Sequence, residues 1–326
     1  MVQQPRPLRT SPCRRPRQFL MAAMTALGLA ASGEAEIITQ LERAPSGHLL
    51  TQVQIGTNGP YTFVLDTGAS NTAIIQPVAE TLGFSSVWQD YDDVQSLTAL
   101  FSAERFELQD VRVADLPAIS LNTVVIPVDD TETQPVAGLL GADAIPATHY
   151  RIDFANASLV LDAPPPEHAD GQVGAQNLLF GRVELARGLR DVRVMIDSGS
   201  AQTLVNDRLR TQLRDRIGGY TVNIHGVESR VARDPGAESR PVRLSNLRLG
   251  GLCLNWIIAL RADLDIFEAL EWNEVPAMVI GMDVLQYATV TVDREAGTFE
   301  ISASDEDDAC PGGRAAPRAR EHANRR

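Results

Sequence analysis

The chain has 326 residues, enough for two domains of ordinary size, and 44% of them are apolar, as in a typical globular protein. Its formal net charge is −13 at pH 7. A surface this acidic repels the phosphate backbone, so the composition argues against a nucleic-acid-binding protein.

Residues 1–35 have the pattern of an export signal. A basic region with five Arg precedes an apolar run, 19–31, that is too short to span a bilayer comfortably. Gly33 and Ala35 are small residues at the two positions that a signal peptidase reads. The sequence therefore predicts a periplasmic or secreted protein with no membrane span after signal removal. The alternative is that the segment stays uncut as an N-terminal membrane anchor.

The first stretch with a candidate catalytic residue ends in Asp66, Thr67 and Gly68. Residues 63–65 before it are apolar and favour a strand, and the Gly permits a tight turn that a residue with a Cβ would resist. The pattern predicts a buried strand whose end holds the Asp carboxylate away from the core. An isolated Asp of this kind is more often a capped turn, in which the side chain binds backbone amides.

The same pattern returns at Asp197, Ser198 and Gly199, again after an apolar strand. Downstream of each copy lies an apolar run followed by Gly, any residue and Asp, at 137–145 and at 277–285. The chain is therefore an internal duplication with a period of about 130 residues. Because the surroundings repeat together with the triplet, we favour a functional carboxylate pair over two capped turns.

With these motifs the chain resembles the pepsin and retropepsin-like aspartic proteases, in particular bacterial aspartyl protease family proteins with retropepsin-like domains, over nearly all of residues 37–303. The resemblance implies an all-β fold, in which two similar retropepsin-like β-barrel lobes in one chain form a pepsin-like bilobal acid protease fold with a cleft between them. The predicted parts of the chain are a signal peptide at 1–35, an N-terminal lobe at 36–163, a Pro-rich linker at 164–174, a C-terminal lobe at 175–303 and a disordered tail at 304–326.

The resemblance also implies that Asp66 and Asp197 are the catalytic residues. Two carboxyls in close contact share one proton, so that one activates a water molecule while the other polarises the scissile carbonyl. The supporting residues that the resemblance implies are the bracing hydroxyls of Thr67 and Ser198 and the backbone amides of Gly68 and Gly199, which hold the carboxylates.

The two copies differ three positions after the Asp, where the first has Ala69 and the second has Ser200. A hydroxyl donor stabilises an ionised carboxylate. We therefore predict that Asp197 ionises more readily and that Asp66 more often carries the shared proton.

In this family a hairpin called the flap folds over the cleft, and residues 86–101 are the predicted first flap. Tyr91 is the flap candidate in this segment, and an ordinary surface tyrosine is the alternative. His225 and Gly226 lie at a suitable distance after Asp197 for the second flap.

Cys253 and Cys310 lie outside the predicted signal. In an exported protein they either form a disulfide that ties the tail to the second lobe or stay as two independent thiols. The five His share no metal-like spacing with Cys or acidic residues, so we predict no metal and no cofactor.

The sequence thus predicts an aspartic endopeptidase that hydrolyses an extended peptide substrate and works as a monomer with both lobes in one chain. Three alternatives stay open. One is a catalytically weak or inactive peptide-binding protein of the same fold in the cell envelope, which the lack of Gly in residues 87–101 favours. Another is an envelope assembly factor that acts through its acidic surface, and the third places the active sites between two chains.

Overall fold

The computed structural model describes residues 36–84, 91–97, 100–126, 136–213, 240–262 and 264–311. The predicted signal peptide, the second flap candidates His225 and Gly226, and the end of the predicted tail lie outside these residues. The fold is all-β, with 52% strand and 14% helix, and contains two closed six-strand barrels, which confirms the predicted fold class. Within the described ranges, none of the helices has the length and apolar character needed to cross a bilayer.

The two halves of the chain contain similar sets of elements. In the first half they are β1 (Ile37–Gln40), β2 (Glu42–Arg43), β3 (Leu49–Ile55), β4 (Asn58–Leu65), β5 (Ala73–Ile75), α1 (Gln76–Thr81), β6 (Tyr91–Gln95), β7 (Leu100–Val113), β8 (Ile119–Ile126), β9 (Gly138–Leu140), β10 (His149–Asp153) and β11 (Ser158–Leu161). In the second half they are β12 (Gly171–Val173), β13 (Leu179–Leu185), β14 (Leu189–Ile196), β15 (Leu204–Val205), α2 (Asp207–Gln212), β16 (Arg240–Leu249), β17 (Leu252–Arg261), α3 (Asp265–Ala269), β18 (Ala277–Ile280), α4 (Met282–Leu285), β19 (Ala288–Asp293) and β20 (Thr298–Ala303).

Each barrel closes through one extra strand pairing. In the first lobe the strand order is β2-β3-β4-β9-β5-β8-β7-β6, and β3 also pairs with β7. In the second lobe the order β13-β14-β18-β15-β17-β16 is closed by the pairing of β13 with β16. The repeat seen in the sequence is therefore a repeat of barrels, and closure leaves few free strand edges.

A central sheet joins the two lobes, with the order β1-β11-β10-β19-β20-β12. At its middle β10 runs antiparallel to β19, with Arg151 opposite Thr291. These two residues follow the repeated Gly-x-Asp elements at the same distance, so the pairing relates one half of the chain to the other by an approximate two-fold axis. The segment 164–174, which the sequence predicts as a linker, contributes β12, which pairs with β20 on one side and with β13 of the second barrel on the other.

Strands β4 and β14, which lead into the two Asp residues, end in residues that are buried on both faces. Each pairs in parallel with the strand of the downstream repeated element, β4 with β9 and β14 with β18. Parallel strands covered on both faces form unbroken apolar runs, as residues 63–65 and 194–196 do. The two Asp residues therefore start from rigid, buried strand ends.

Arg294, directly after β19, ties the second half of the chain to the first. Its guanidinium donates hydrogen bonds to the carbonyls of Ile145 (2.7 Å), Ala147 (2.9 Å) and Ala142. It also lies over the ring of Tyr150, 4.9 Å from the ring centre. One cation thus satisfies several carbonyls of the segment that follows the first Gly-x-Asp element, which stabilises the interface between the lobes.

A disulfide joins Cys253 on β17 to Cys310, with 4.9 Å between the Cα atoms. The neighbouring residues Leu252 and Ala309 form an isolated antiparallel bridge. Of the two alternatives that the sequence left open, the structure contains the disulfide. Residues 304–311 of the segment predicted as a disordered tail pack against the second lobe.

Candidate active site

The two Asp-hydroxyl-Gly turns come together between the lobes. Asp66 follows β4 and is 2% exposed, while Asp197 follows β14 and is fully buried. The amide of Gly68 donates to Oδ1 of Asp66 (2.8 Å), and the amide of Gly199 donates to Oδ1 of Asp197 (2.9 Å). Each turn therefore holds its own carboxylate by a backbone amide two residues later.

Each carboxylate also lies against the glycine of the opposite turn. A Cβ built on Gly68 would overlap the Asp197 carboxyl, and one built on Gly199 would overlap the Asp66 carboxyl. Any other residue at either position would push the turns apart. The two glycines are thus required by the close approach of the two carboxyls.

Four buried hydrogen bonds cross between the turns, and we call this set the interlobe brace. The amide of Thr67 donates to the Ser198 hydroxyl (3.0 Å), and the amide of Ser198 donates to the Thr67 hydroxyl (3.0 Å). The Thr67 hydroxyl then donates to the carbonyl of Ile196 (3.1 Å), and the Ser198 hydroxyl donates to that of Leu65 (2.7 Å). Both turns of the brace belong to one chain, so a second chain is not needed to assemble the site.

A second layer behind each turn uses the repeated downstream Asp. Oδ1 of Asp143 accepts from both the amide and the hydroxyl of Thr72, at 2.8 Å each. In the second lobe Asp283 accepts from the Thr203 hydroxyl at 2.7 Å. Burial raises the pKa of both of these Asp residues. They bind backbone and hydroxyl groups behind the turns rather than the facing carboxyls.

The electrostatics of the pair favour one shared proton. Burial raises the pKa of Asp66, and the amide of Gly68, the Asp197 side chain and His48 oppose this only in part. Two hydrogen-bonded carboxyls in a site closed to water cannot both ionise cheaply. The pair is therefore suited to share one proton.

Ser200 has a different role from the predicted one. Its hydroxyl donates to the carbonyl of Gln202 (2.8 Å), while its backbone amide donates to Oδ1 of Asp197 (3.2 Å). The prediction that the hydroxyl stabilises ionised Asp197 is corrected, because in this turn the side chain closes a local loop. The donor to Asp197 comes from the main chain, as the amide of Ala69 does for Asp66, and any residue except Pro supplies it.

Ser200→Ala is therefore expected to leave the acid limb of a pH–rate profile within about 0.3 pH unit of the wild type, because the amide donor is retained. The measurement is kcat/KM against pH for both proteins. A shift of the acid limb by about one pH unit would show that the hydroxyl does stabilise ionised Asp197, as the sequence predicts.

The first predicted flap, 86–101, covers β6 and the start of β7, and its residues 86–90 and 98–99 lie outside the described ranges. Strands β6 and β7 pair antiparallel as a hairpin, from Tyr91 opposite Glu104 to Gln95 opposite Leu100. Tyr91 is 51% exposed, and its hydroxyl donates to Glu104 on the same hairpin (3.4 Å). The only contact described for its hydroxyl is thus within the hairpin.

The tip of this hairpin reaches the second lobe. Leu97 is 6% exposed, and its carbonyl accepts a hydrogen bond from the amide of Ile266 in α3 (3.2 Å). Its side chain belongs to an apolar cluster of second-lobe residues that includes Met195, Phe267 and Trp272. Because Met195 lies two residues before Asp197, the hairpin tip docks on the element that carries one of the two carboxyls.

Replacing Leu97 by Ala is expected to loosen this contact and to speed hydrogen exchange of the Ile266 amide by about tenfold, since the lost packing lets the tip open. Amide exchange followed by mass spectrometry or NMR measures this. Leu100→Ala is the matched control, because Leu100 lies on the same hairpin and is 63% exposed. Equal exchange rates in the Leu97 variant and the wild type would contradict a docked tip.

His48 is a site residue that the sequence motifs do not reveal. It is 3% exposed, and its Nε2 lies 2.9 Å from the carbonyl oxygen of Gly199, in the opposite turn. The only sequence signal is its position directly before β3, which is too general to single out a histidine. No group of three or more His, Cys, Asp or Glu in the described ranges is arranged to hold a metal ion.

Two closed barrels that each present an Asp-hydroxyl-Gly turn to a shared, buried site define a bilobal fold of the aspartic protease type. Residues 51–144 match the family model described as aspartyl protease, which confirms the predicted resemblance over this segment. The match includes the first turn and ends after the first Gly-x-Asp element. No curated protein gives a significant match to the sequence.

Proposed function

We propose that the protein is an aspartic endopeptidase in which Asp66 and Asp197 hydrolyse peptide bonds as a pair. The observation that carries the proposal is the arrangement of the two buried carboxyls, each held by an amide of its own turn and packed against the glycine of the other. A pair of capped turns would have no need for this close mutual approach.

The chemistry follows from the single proton that the pair shares. A water molecule between the carboxyls gives a proton to ionised Asp197 while its oxygen attacks the scissile carbonyl carbon. The proton on Asp66 moves to the carbonyl oxygen, giving a tetrahedral diol. The roles then exchange, since Asp197 returns its proton to the leaving nitrogen as the C–N bond breaks and Asp66 accepts a proton from the diol.

The proposed substrate is an extended peptide or protein segment that lies between the carboxyl pair and the hairpin of β6 and β7. Extended substrates pair with strand edges through main-chain hydrogen bonds, and alternate side chains enter pockets. For such a segment to enter, the docked tip at Leu97 has to open. The proposal includes export by the N-terminal signal. It also includes action as a monomer, because both turns come from one chain.

The experiment is digestion of a diverse peptide pool by the full chain and by the chain without residues 1–35, from about pH 3 to 7, with products identified by mass spectrometry. We expect internal cleavages that are strongest at acidic pH and that yield a consistent preference around the cut bond. The absence of cleavage by both forms at every pH would overturn the proposal.

A peptide-binding protein of the same fold is the second candidate. It is favoured by the docked hairpin tip, which closes over the second lobe, and by the lack of Gly in residues 87–101. This candidate predicts that peptides from the pool are retained by the protein on gel filtration but recovered uncut.

A further inference from the structure

His48 is a buried imidazole whose two nitrogens are both engaged. Nε2 lies 2.9 Å from the carbonyl oxygen of Gly199, and Nδ1 lies 2.9 Å from the hydroxyl of Ser46. A carbonyl only accepts, so Nε2 must carry the hydrogen. In the neutral ring Nδ1 then accepts from the Ser46 hydroxyl, and in the charged ring it donates to the same oxygen after the hydroxyl rotates. The site can therefore hold either charge state without moving the ring.

The contact reaches the centre of the site from the opposite lobe. Gly199 is the residue whose amide holds Asp197 and whose Cα packs against the Asp66 carboxyl. By binding the Gly199 carbonyl, His48 of the first lobe holds the second turn in place. The carboxyl of Asp66 acts electrostatically on the ring and opposes the lowering of the His48 pKa by burial. A charge on the ring therefore acts on the carboxyl pair in return.

The second lobe has no equivalent of this histidine. The loop before β3 is closed by the amide of Ala44 donating to the carbonyl of His48 (2.9 Å), and the loop before β13 is closed by Gly174 donating to Leu178 (2.8 Å). Leu178 therefore occupies the position of His48 in the repeat. At this pair of equivalent positions, the carboxyl pair thus has an ionisable ring on the side of the first lobe and an apolar residue on the side of the second.

Few charged groups compete for this ring among the described residues. The carboxyl pair of Asp66 and Asp197 supplies the negative charge that acts on it. Arg43 lies near the same loop, but its guanidinium donates to the carbonyls of Gly47 and Phe154. Burial lowers the pKa of His48, so the ring is neutral at pH 7 and gains its charge only in the acidic range.

We propose that His48 is a positioning residue that holds the Asp197 turn through Gly199 and, once protonated in acid, keeps the carboxyl pair singly ionised to lower pH. The proposal rests on the proposed peptidase function for its kinetic consequence. Its structural part, the coupling between His48 and Asp66, does not depend on turnover.

The kinetic test compares His48→Gln and His48→Leu with the wild type. Gln can donate to the Gly199 carbonyl but carries no charge, and Leu copies the residue of the second lobe. In both variants the acid limb of kcat/KM is expected to move up by about half to one pH unit, because the cation that favours the ionised pair is gone. His48→Leu is expected to lose about tenfold more kcat than His48→Gln, since it also lacks the donor. An unmoved acid limb in both variants would overturn the proposal.

The second test follows the His48 ring by NMR in the wild type and in the double variant with Asp66→Asn and Asp197→Asn, which removes the single negative charge of the pair. Coupling between two sites is reciprocal, so loss of the negative charge is expected to lower the pKa of His48 further, by about half a unit or more. His149, whose ring contacts Asp293, is the internal control for general effects of the substitutions. If the protein cuts no peptide, the peptidase proposal fails, but this experiment still tests whether the His48 ring is coupled to the carboxyl pair. An unchanged His48 titration would show that the ring and the pair are uncoupled and would overturn the inference.

Discussion

Replacing either Asp66 or Asp197 by Asn is expected to lower kcat/KM by about 10³-fold or more, because a single carboxyl cannot both accept the proton of water and protonate the carbonyl. Peptide cleavage by the purified variants measures this. Asp143→Asn is the matched control, since Asp143 is half-buried close to the same turn but binds Thr72 behind it, and Asn can keep the Oδ1 acceptor.

Full loss in both variants with most activity retained in Asp143→Asn would place the chemistry on this pair. Loss in only one of the two Asp variants would contradict the pairing. Loss of equal size in Asp143→Asn would mean that the carboxyls behind the turns take part in the reaction.

The same substitution at Asp66 is expected to change stability in a pH-dependent way. Because the folded-state pKa of Asp66 is raised by burial, its contribution to stability is complete below the unfolded pKa of about 3.9 and is lost as the pH rises through the folded value. Asn cannot ionise. The stability of Asp66→Asn relative to the wild type should therefore increase from pH 3 to pH 7, as measured by denaturant unfolding at both values.

Thr67→Val is expected to lower the free energy of unfolding by about 2–4 kcal/mol. Val keeps the shape of the side chain but removes two bonds of the interlobe brace, which leaves the buried amide of Ser198 without its acceptor and the carbonyl of Ile196 without its donor. Unfolding in urea, followed by fluorescence, measures the change.

Thr67→Ser is the control for this substitution, because it keeps the hydroxyl and reproduces the residue that the second lobe has. We expect it to retain most of the stability that Thr67→Val loses. If the Val and Ser variants were equally stable, the Thr67 hydroxyl would contribute nothing to the brace, and the lobes would be held by their other contacts.

The local pattern of the sequence determined the two turns and the strands that lead into them, while the barrels were implied by the family resemblance. An apolar run followed by Asp, a hydroxyl residue and Gly encodes a buried strand end and a tight turn within a few residues, so both copies were predictable at Asp66 and Asp197. The repeat of the surroundings was sufficient to predict two similar lobes.

Side-chain direction and strand pairing were not predictable in the same way. The Ser200 hydroxyl could donate either to a carboxylate or to a main-chain carbonyl. In the folded turn it donates to the carbonyl of Gln202, which the sequence does not specify. Residues 171–173 lie in a Pro-rich segment without a clear alternating pattern, yet they form β12 because β13 and β20 offer pairing edges.

His48 and Leu97 show most clearly what the tertiary structure decided. His48 meets Gly199, which is 151 residues away, and Leu97 meets Ile266 across the lobes. Periodicity and turn chemistry describe neighbours along the chain, and they contain no information on which residues of one lobe will face the other. The sequence by itself determined where the carboxyls stand on their strands, and the apposition of the lobes decided what surrounds them.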